Sequence, residues 1–159
     1  MKHTRKHLKR KSGGSRKQVG NLKGGKNKHV NQKEFDMLVK KMLELLTSVK
    51  LYHWNTLSYS THKATDNLHE NLSGKMDQYV EVMIGKSDSK YRINMSDFNK
   101  LVIKGISNNI QMTNTIKSFI SDLNDFHSKV SSSFYSDVIN IKDEIVAELN
   151  KFLYLLTLK

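Results

Sequence analysis

From Gln32 onward, apolar residues recur at intervals of three and four in successive segments, and the chain holds no proline to interrupt them. That spacing lines apolar side chains along one face of an α-helix. The missing proline removes the main helix breaker. The segment FDMLVKKMLELLTSVKLYHWNTL is the plainest case, with Phe35, Leu38, Val39, Met42, Leu45, Leu46, Val49 and Tyr52 in register. It predicts helix A over about 32–57. Ser58, Ser60 and Thr61 supply capping hydroxyls for helix B, over about 61–84, and Gly85 closes it. Helix C is expected over about 108–129, with Ile110, Ile116, Phe119, Ile120, Leu123 and Phe126 on one side. Ser131, Ser132 and Ser133 form a turn. Helix D then runs over about 134–157, with Ile141, Ile145, Leu149, Phe152 and Leu156 inward. Four such helices make an all-α four-helix bundle, and the B–C connection of about 20 residues suits a crossover. Within that connection two readings stay open. Ser96 and Asp97 could start a short helix through Lys104, closed by Gly105, or LVIKGI could be extended.

The chain has 159 residues and a mass of 18.4 kDa, enough for one ordinary domain. It has no cysteine, which excludes a disulfide scaffold and a cysteine–zinc site. No apolar run approaches the roughly 20 residues of a membrane span, and the first residues are charged, unlike a secretory signal. An intracellular protein is expected, not a secreted one.

The net charge of +12 is concentrated at one end. Residues 1–33 hold 12 Lys and Arg and no acid, whereas residues 34–159 hold 15 of each sign. Five of the eight glycines also fall in that first stretch, where apolar residues are isolated. Such a segment cannot bury enough apolar surface to offset the entropy of ordering it. Residues 1–31 therefore read as a flexible basic arm, ahead of a bundle over 32–159. Its cations are Lys2, Arg5, Lys6, Lys9, Arg10, Lys11, Arg16, Lys17, Lys23, Lys26 and Lys28. They suit nucleic acid, since neutralising phosphates releases counterions and gives sequence-independent, salt-sensitive binding. No aromatic residue interleaves them, so base stacking is not indicated. An anionic membrane surface, an acidic protein, or a solubilising or nuclear-targeting tail are the alternatives.

Helix B carries a second stripe. With His62 set at zero and about 100° per residue, Asp66 falls at about 40°, Asp77 at about 60° and Glu81 at about 100°. Leu68, Leu72, Met76, Tyr79 and Met83 fill a separate arc at about 240–320°. Val80 and Ile84 intrude on the acidic side, which points to a stripe that something covers. Imidazole and carboxylates together suit iron. The midpoints of the two pairs are separated by about 22 Å along the helix, so one copy cannot close a single site with both. A two-fold axis near residues 71–72 would bring Asp77 and Glu81 of a second copy to His62 and Asp66 of the first. The alternative is a solvated acidic face.

Together with KLYHW at 50–54, these residues resemble the mini-ferritins that protect DNA during starvation, the Dps family. That family has a His-Trp pair late in helix A, then His-x3-Asp, ten residues and Asp-x3-Glu on helix B. Here the pattern stands as His53-Trp54, His62-x3-Asp66, Asp77-x3-Glu81 and Gly85. His53 and His62 are nine apart, about three fewer than in Dps proteins, and Val82 stands where an arginine is usual. The chain is also similar to ferritin-like proteins of large DNA viruses, through K-LYHW, H-KATD, D-x3-E-V-x2-GK and NIKDE…LYLL. The resemblance implies a ferritin-like bundle with an iron site, di-iron or mononuclear, shared between subunits related by a two-fold. Its ligands would be His53, His62, Asp66, Asp77 and Glu81. It further implies ferroxidase activity with peroxide or dioxygen as oxidant. The implied homo-oligomer is at least dimeric, and dodecameric if the family's three-fold contacts are kept. The alternative is a non-catalytic nucleic-acid-packaging or virion structural protein that uses the bundle only to oligomerise. Trp54 is expected as a core or interface anchor, His69 and His127 as surface or packing residues, Asp143 and Glu144 as solvated, and Glu148 within reach of a partner on helix A.

Overall fold

A computed structural model of the protein describes residues 30–87, 91–130 and 132–158. Among them stand four α-helices and no strand. Residues 1–29, and with them every cation assigned to the basic arm, lie outside the described residues.

Helix α1 spans Gln32–Asn55. Asn31 caps it, its side chain accepting from the Lys33 amide. Val30, predicted as part of the arm, is instead buried, and its carbonyl accepts from the Tyr91 hydroxyl. The bundle thus begins two residues before the predicted boundary. Helix α2 spans Tyr59–Lys86. Ser58 caps it by accepting from the Thr61 amide, and Gly85 lies inside its last turn, one residue before the observed end. Helices α3, Asn109–Ser128, and α4, Ser136–Leu155, follow.

The core is the set of stripes read from periodicity. Phe35, Met42 and Val49 of α1, Leu72 and Tyr79 of α2, Ile116 and Leu123 of α3, and Ile145 and Leu149 of α4 are fully buried. Each side chain of this size contributes about 1.5–3 kcal/mol when removed from water. Ile110 departs from the prediction: it is 74% exposed, and Met112 takes the inward place at the start of α3.

Helix α1 packs on α2 and α3, and α4 packs on the same two, so α1 and α4 are diagonal. The connection from α2 to α3 runs the length of α1. Tyr91 stacks on Phe35 near the start of α1, with ring centroids 5.9 Å apart. Farther along, the Val102 amide donates to Glu44 Oε1 at 2.8 Å. Ile106 is buried, and Tyr52 donates to Asn109 Oδ1 at 2.5 Å. One long crossover of this kind is among the connections that four-helix bundles use. Of the two readings left open there, neither holds throughout: Met95–Phe98 form one 3-10 turn, and residues 99–107 are irregular. Glu148 does not face α1; its Oε2 accepts from Asn71 Nδ2 of α2 at 3.1 Å. No helix among the described residues is long and apolar enough to cross a membrane.

Candidate metal centre

The α1–α2 turn brings two histidines face to face. His53 lies in the last turn of α1 and His62 in the first turn of α2, with Thr56–Ser58 between the helices. Their rings stack at 3.9 Å between centroids, 26° apart. His53 Nδ1 donates to the His62 carbonyl at 3.0 Å, and His62 Nδ1 donates to the His53 carbonyl at 3.1 Å. Thr65 Oγ1, buried, stands 3.3 Å from His53 Nδ1. A carbonyl oxygen can only accept, so each Nδ1 carries a hydrogen and each neutral ring keeps its lone pair on Nε2. Anchoring one ring nitrogen on a backbone carbonyl fixes the tautomer and aims the other nitrogen, as in histidines that bind metals. Neither Nε2 has a hydrogen-bond partner among the described residues.

Asp66 stands one turn beyond His62. Its Oδ1 is 3.8 Å from His53 Nε2 and 3.6 Å from Lys50 Nζ. The first distance is too long for a hydrogen bond. His69, seven residues after His62, adjoins the group. Burial and the Lys50 ammonium push its pKa below the ordinary value, with Asp66 opposing.

His53, His62 and Asp66 are therefore assembled by one chain. The short Thr56–Ser58 connection sets the two rings in contact. Asp77 and Glu81 are exposed, farther along α2, and belong to no such cluster. Among the described residues no three His, Asp or Glu side chains of a single copy converge tightly enough to hold a metal ion. The donor set of one copy suits iron in kind and is incomplete in number.

Between the two halves of the stripe runs an apolar groove on the outer face of α1 and α2. One hollow, of about 240 Å³, is lined by Leu43, Leu46, Lys50, Trp54 and His69 among others. The next, of about 390 Å³, shares Leu43 and Leu46 and reaches Gly74, Asp77, Val80 and Ile93. Trp54 is 66% exposed, so it is no core anchor of the single copy. Val80 and Ile84, the apolar intruders on the acidic stripe, are half-buried against the core.

Periodicity missed Lys50, Thr65 and His69 as neighbours of the group. Each carried a signal, being three residues from His53, three from His62 and seven from His62, spacings that share a helix face. His127 is a packing histidine as expected, its Nε2 hydrogen-bonded to the Tyr79 hydroxyl at 2.8 Å. Asp143 and Glu144 are largely exposed, paired with Lys142 and Lys75.

Residues 53–156 match a family model described as a family of unknown function (DUF5856). The match begins at His53 and covers the whole of α2, the crossover, α3 and α4. No curated protein and no solved structure matches the chain.

Proposed function

We propose that this chain, which belongs to the DUF5856 family, is a mini-ferritin-like protein that binds and oxidises Fe(II) between two copies and holds nucleic acid through its basic N-terminal segment. One observation carries the iron reading: the reciprocal His53–His62 clasp, which leaves both Nε2 lone pairs without a hydrogen-bond partner among the described residues and sets that of His53 beside Asp66. Asp77 and Glu81 of a second copy complete the donor set when two α2 helices pack antiparallel. The apolar groove between the half-sites supports that packing, because Trp54, Leu43 and Val80 would gain burial there. Fe(II) is the substrate, and peroxide or dioxygen the oxidant. The carboxylates stabilise the more highly charged Fe(III) product electrostatically. Removing Fe(II) and oxidant together protects nucleic acid held close by.

Complementation between variants tests the shared site. His62→Ala/Asp66→Ala and Asp77→Ala/Glu81→Ala chains should each fail to oxidise Fe(II), measured by the ferric absorbance after anaerobic loading and addition of peroxide. Co-assembled in equal amounts, they should regain about a quarter of the activity, since half the dimers are mixed and each mixed dimer has one intact site of two. Co-assembly no better than the separate variants would refute the shared site.

The charge segregation favours a second reading by itself: a nucleic-acid-packaging protein whose bundle only oligomerises, so that many basic segments act together by avidity. Wild-type protein that leaves Fe(II) unoxidised yet condenses DNA would select it.

A further inference from the structure

We propose that the end of the bundle at the α1–α2 turn docks on an anionic lipid bilayer, with Leu57 entering the interface and nearby lysines set on the headgroup phosphates. Three stretches of chain meet at this end. Thr56–Ser58 joins α1 to α2. The Tyr52 hydroxyl donates to Asn109 Oδ1 at 2.5 Å, which ties in the start of α3. Asn109 Nδ2 donates to the Leu156 carbonyl at 3.4 Å, which ties in the end of α4. Large apolar side chains nevertheless face water there. Leu57 is fully exposed, and Tyr59, Ile110, Tyr154 and Leu158 are exposed as well. Exposed apolar side chains gathered in one place mark a protein or a membrane contact.

Charge and shape select the membrane. Residues 49–65, 106–121 and 149–158, which build this end, hold Lys50, Lys63, Lys117 and Lys151 and no Asp or Glu, although residues 34–159 as a whole carry 15 of each sign. Lys63 lies four residues from the start of α2 and Lys151 four from the end of α4. At 1.5 Å per residue both stand about 6 Å above the helix ends. An interfacial apolar face sinks about 5–10 Å into the boundary between headgroups and acyl chains. The ammonium groups therefore meet the phosphates at the depth where Leu57 meets the acyl chains, and long lysine stems permit that reach. Tyrosine suits the same zone, with an apolar ring and a polar hydroxyl. Lys151 pairs with Glu148 at 3.6 Å while largely exposed, an ion pair too weak to hold it from a phosphate. Leu57 projects from a turn, and a fluid bilayer accepts a convex apolar point without a matched pocket, whereas a protein partner must supply one. The basic N-terminal segment joins at the other end of α1, about 36 Å away, so the two cationic surfaces can be tested apart.

The chain has no cysteine, so one introduced cysteine takes a single environment-sensitive dye. Full-length Leu57→Cys and, at the opposite end of the bundle, Asp125→Cys are labelled and mixed with vesicles of phosphatidylglycerol and phosphatidylcholine in equal parts. The dye at 57 should brighten about threefold and be quenched by lipids that carry a doxyl group on the acyl chain. The dye at 125 should do neither. Adding Lys63→Glu/Lys151→Glu to the Leu57→Cys chain should raise the lipid needed for the same brightening about tenfold. Vesicle binding that leaves the dye at 57 unchanged would place the contact in the basic segment and overturn the proposal. An equal response to phosphatidylcholine alone would overturn it too. So would brightening at 57 on raising the protein concentration without lipid, which would make a second copy the occupant, or on adding DNA in place of vesicles.

Discussion

Tyr79 of α2 and His127, in the last turn of α3, join two helices that stand diagonally across the bundle. The Tyr79 hydroxyl is hydrogen-bonded to His127 Nε2, the other ring nitrogen being Nδ1. That Nδ1 is buried and has no partner among the described residues. Burial, aided by Lys142 and opposed by Asp143, lowers the His127 pKa to about 4. In the unfolded chain the ring titrates at about 6.5. The folded state therefore resists a proton that the unfolded state accepts, so the contribution to stability is complete above about pH 6.5 and is lost as pH falls toward 4. Wild type should lose about 1 kcal/mol more than His127→Leu between pH 7 and pH 5 in urea titrations, allowing for screening of the partly exposed ring. Equal losses in the two proteins would show that His127 is not the group responsible. Legibility at this scale was a matter of angle. Ile110 is six residues from Ile116, about 240° around the helix, and so could not share its face. Trp54 follows Tyr52 by two, about 200° away, which turns it from the core to the outer groove.

Helix α2 shows why one element can be read twice. Its buried arc and its acidic arc are separated by angle alone, and the buried members all lie where periodicity placed them. Leu72 sits fully buried at the middle of that arc. Leu72→Ala should destabilise the fold by about 3 kcal/mol through lost burial and an unfilled cavity, read from the urea midpoint. Less than about 1 kcal/mol would mean that the bundle closes around the deletion. The crossover, by contrast, was not legible. Tyr91, Ile106 and Val102 are held by Phe35, the core and Glu44, partners distant in sequence, and no local period records such contacts. The histidine clasp lies between these cases. Its residue types and the His62–Asp66 spacing were readable, but the approach of His53 depended on the three-residue connection and on the Ser58 cap that starts α2.

The whole molecule divides by charge into a basic end and a neutral bundle. Val30 and Asn31 belong to the bundle, one buried and one capping α1, so a clean removal of the basic segment stops at His29. Deleting residues 1–29 should abolish DNA binding at moderate salt in gel-shift assays and leave the thermal midpoint unchanged, since phosphate neutralisation carries the affinity. Binding that survives the deletion would move the nucleic-acid surface onto the helices. The amino-acid order by itself determined the number of helices, their inward faces, the segregation of charge and the placing of His62 and Asp66 on one face of α2. Each of these follows from neighbours within a turn or two, or from composition. Tertiary structure alone decided that His53 meets His62, that Lys50 pairs with Asp66, and that the crossover lies along α1. Those contacts depend on how two helices are held against each other, and that is set by packing over the whole core.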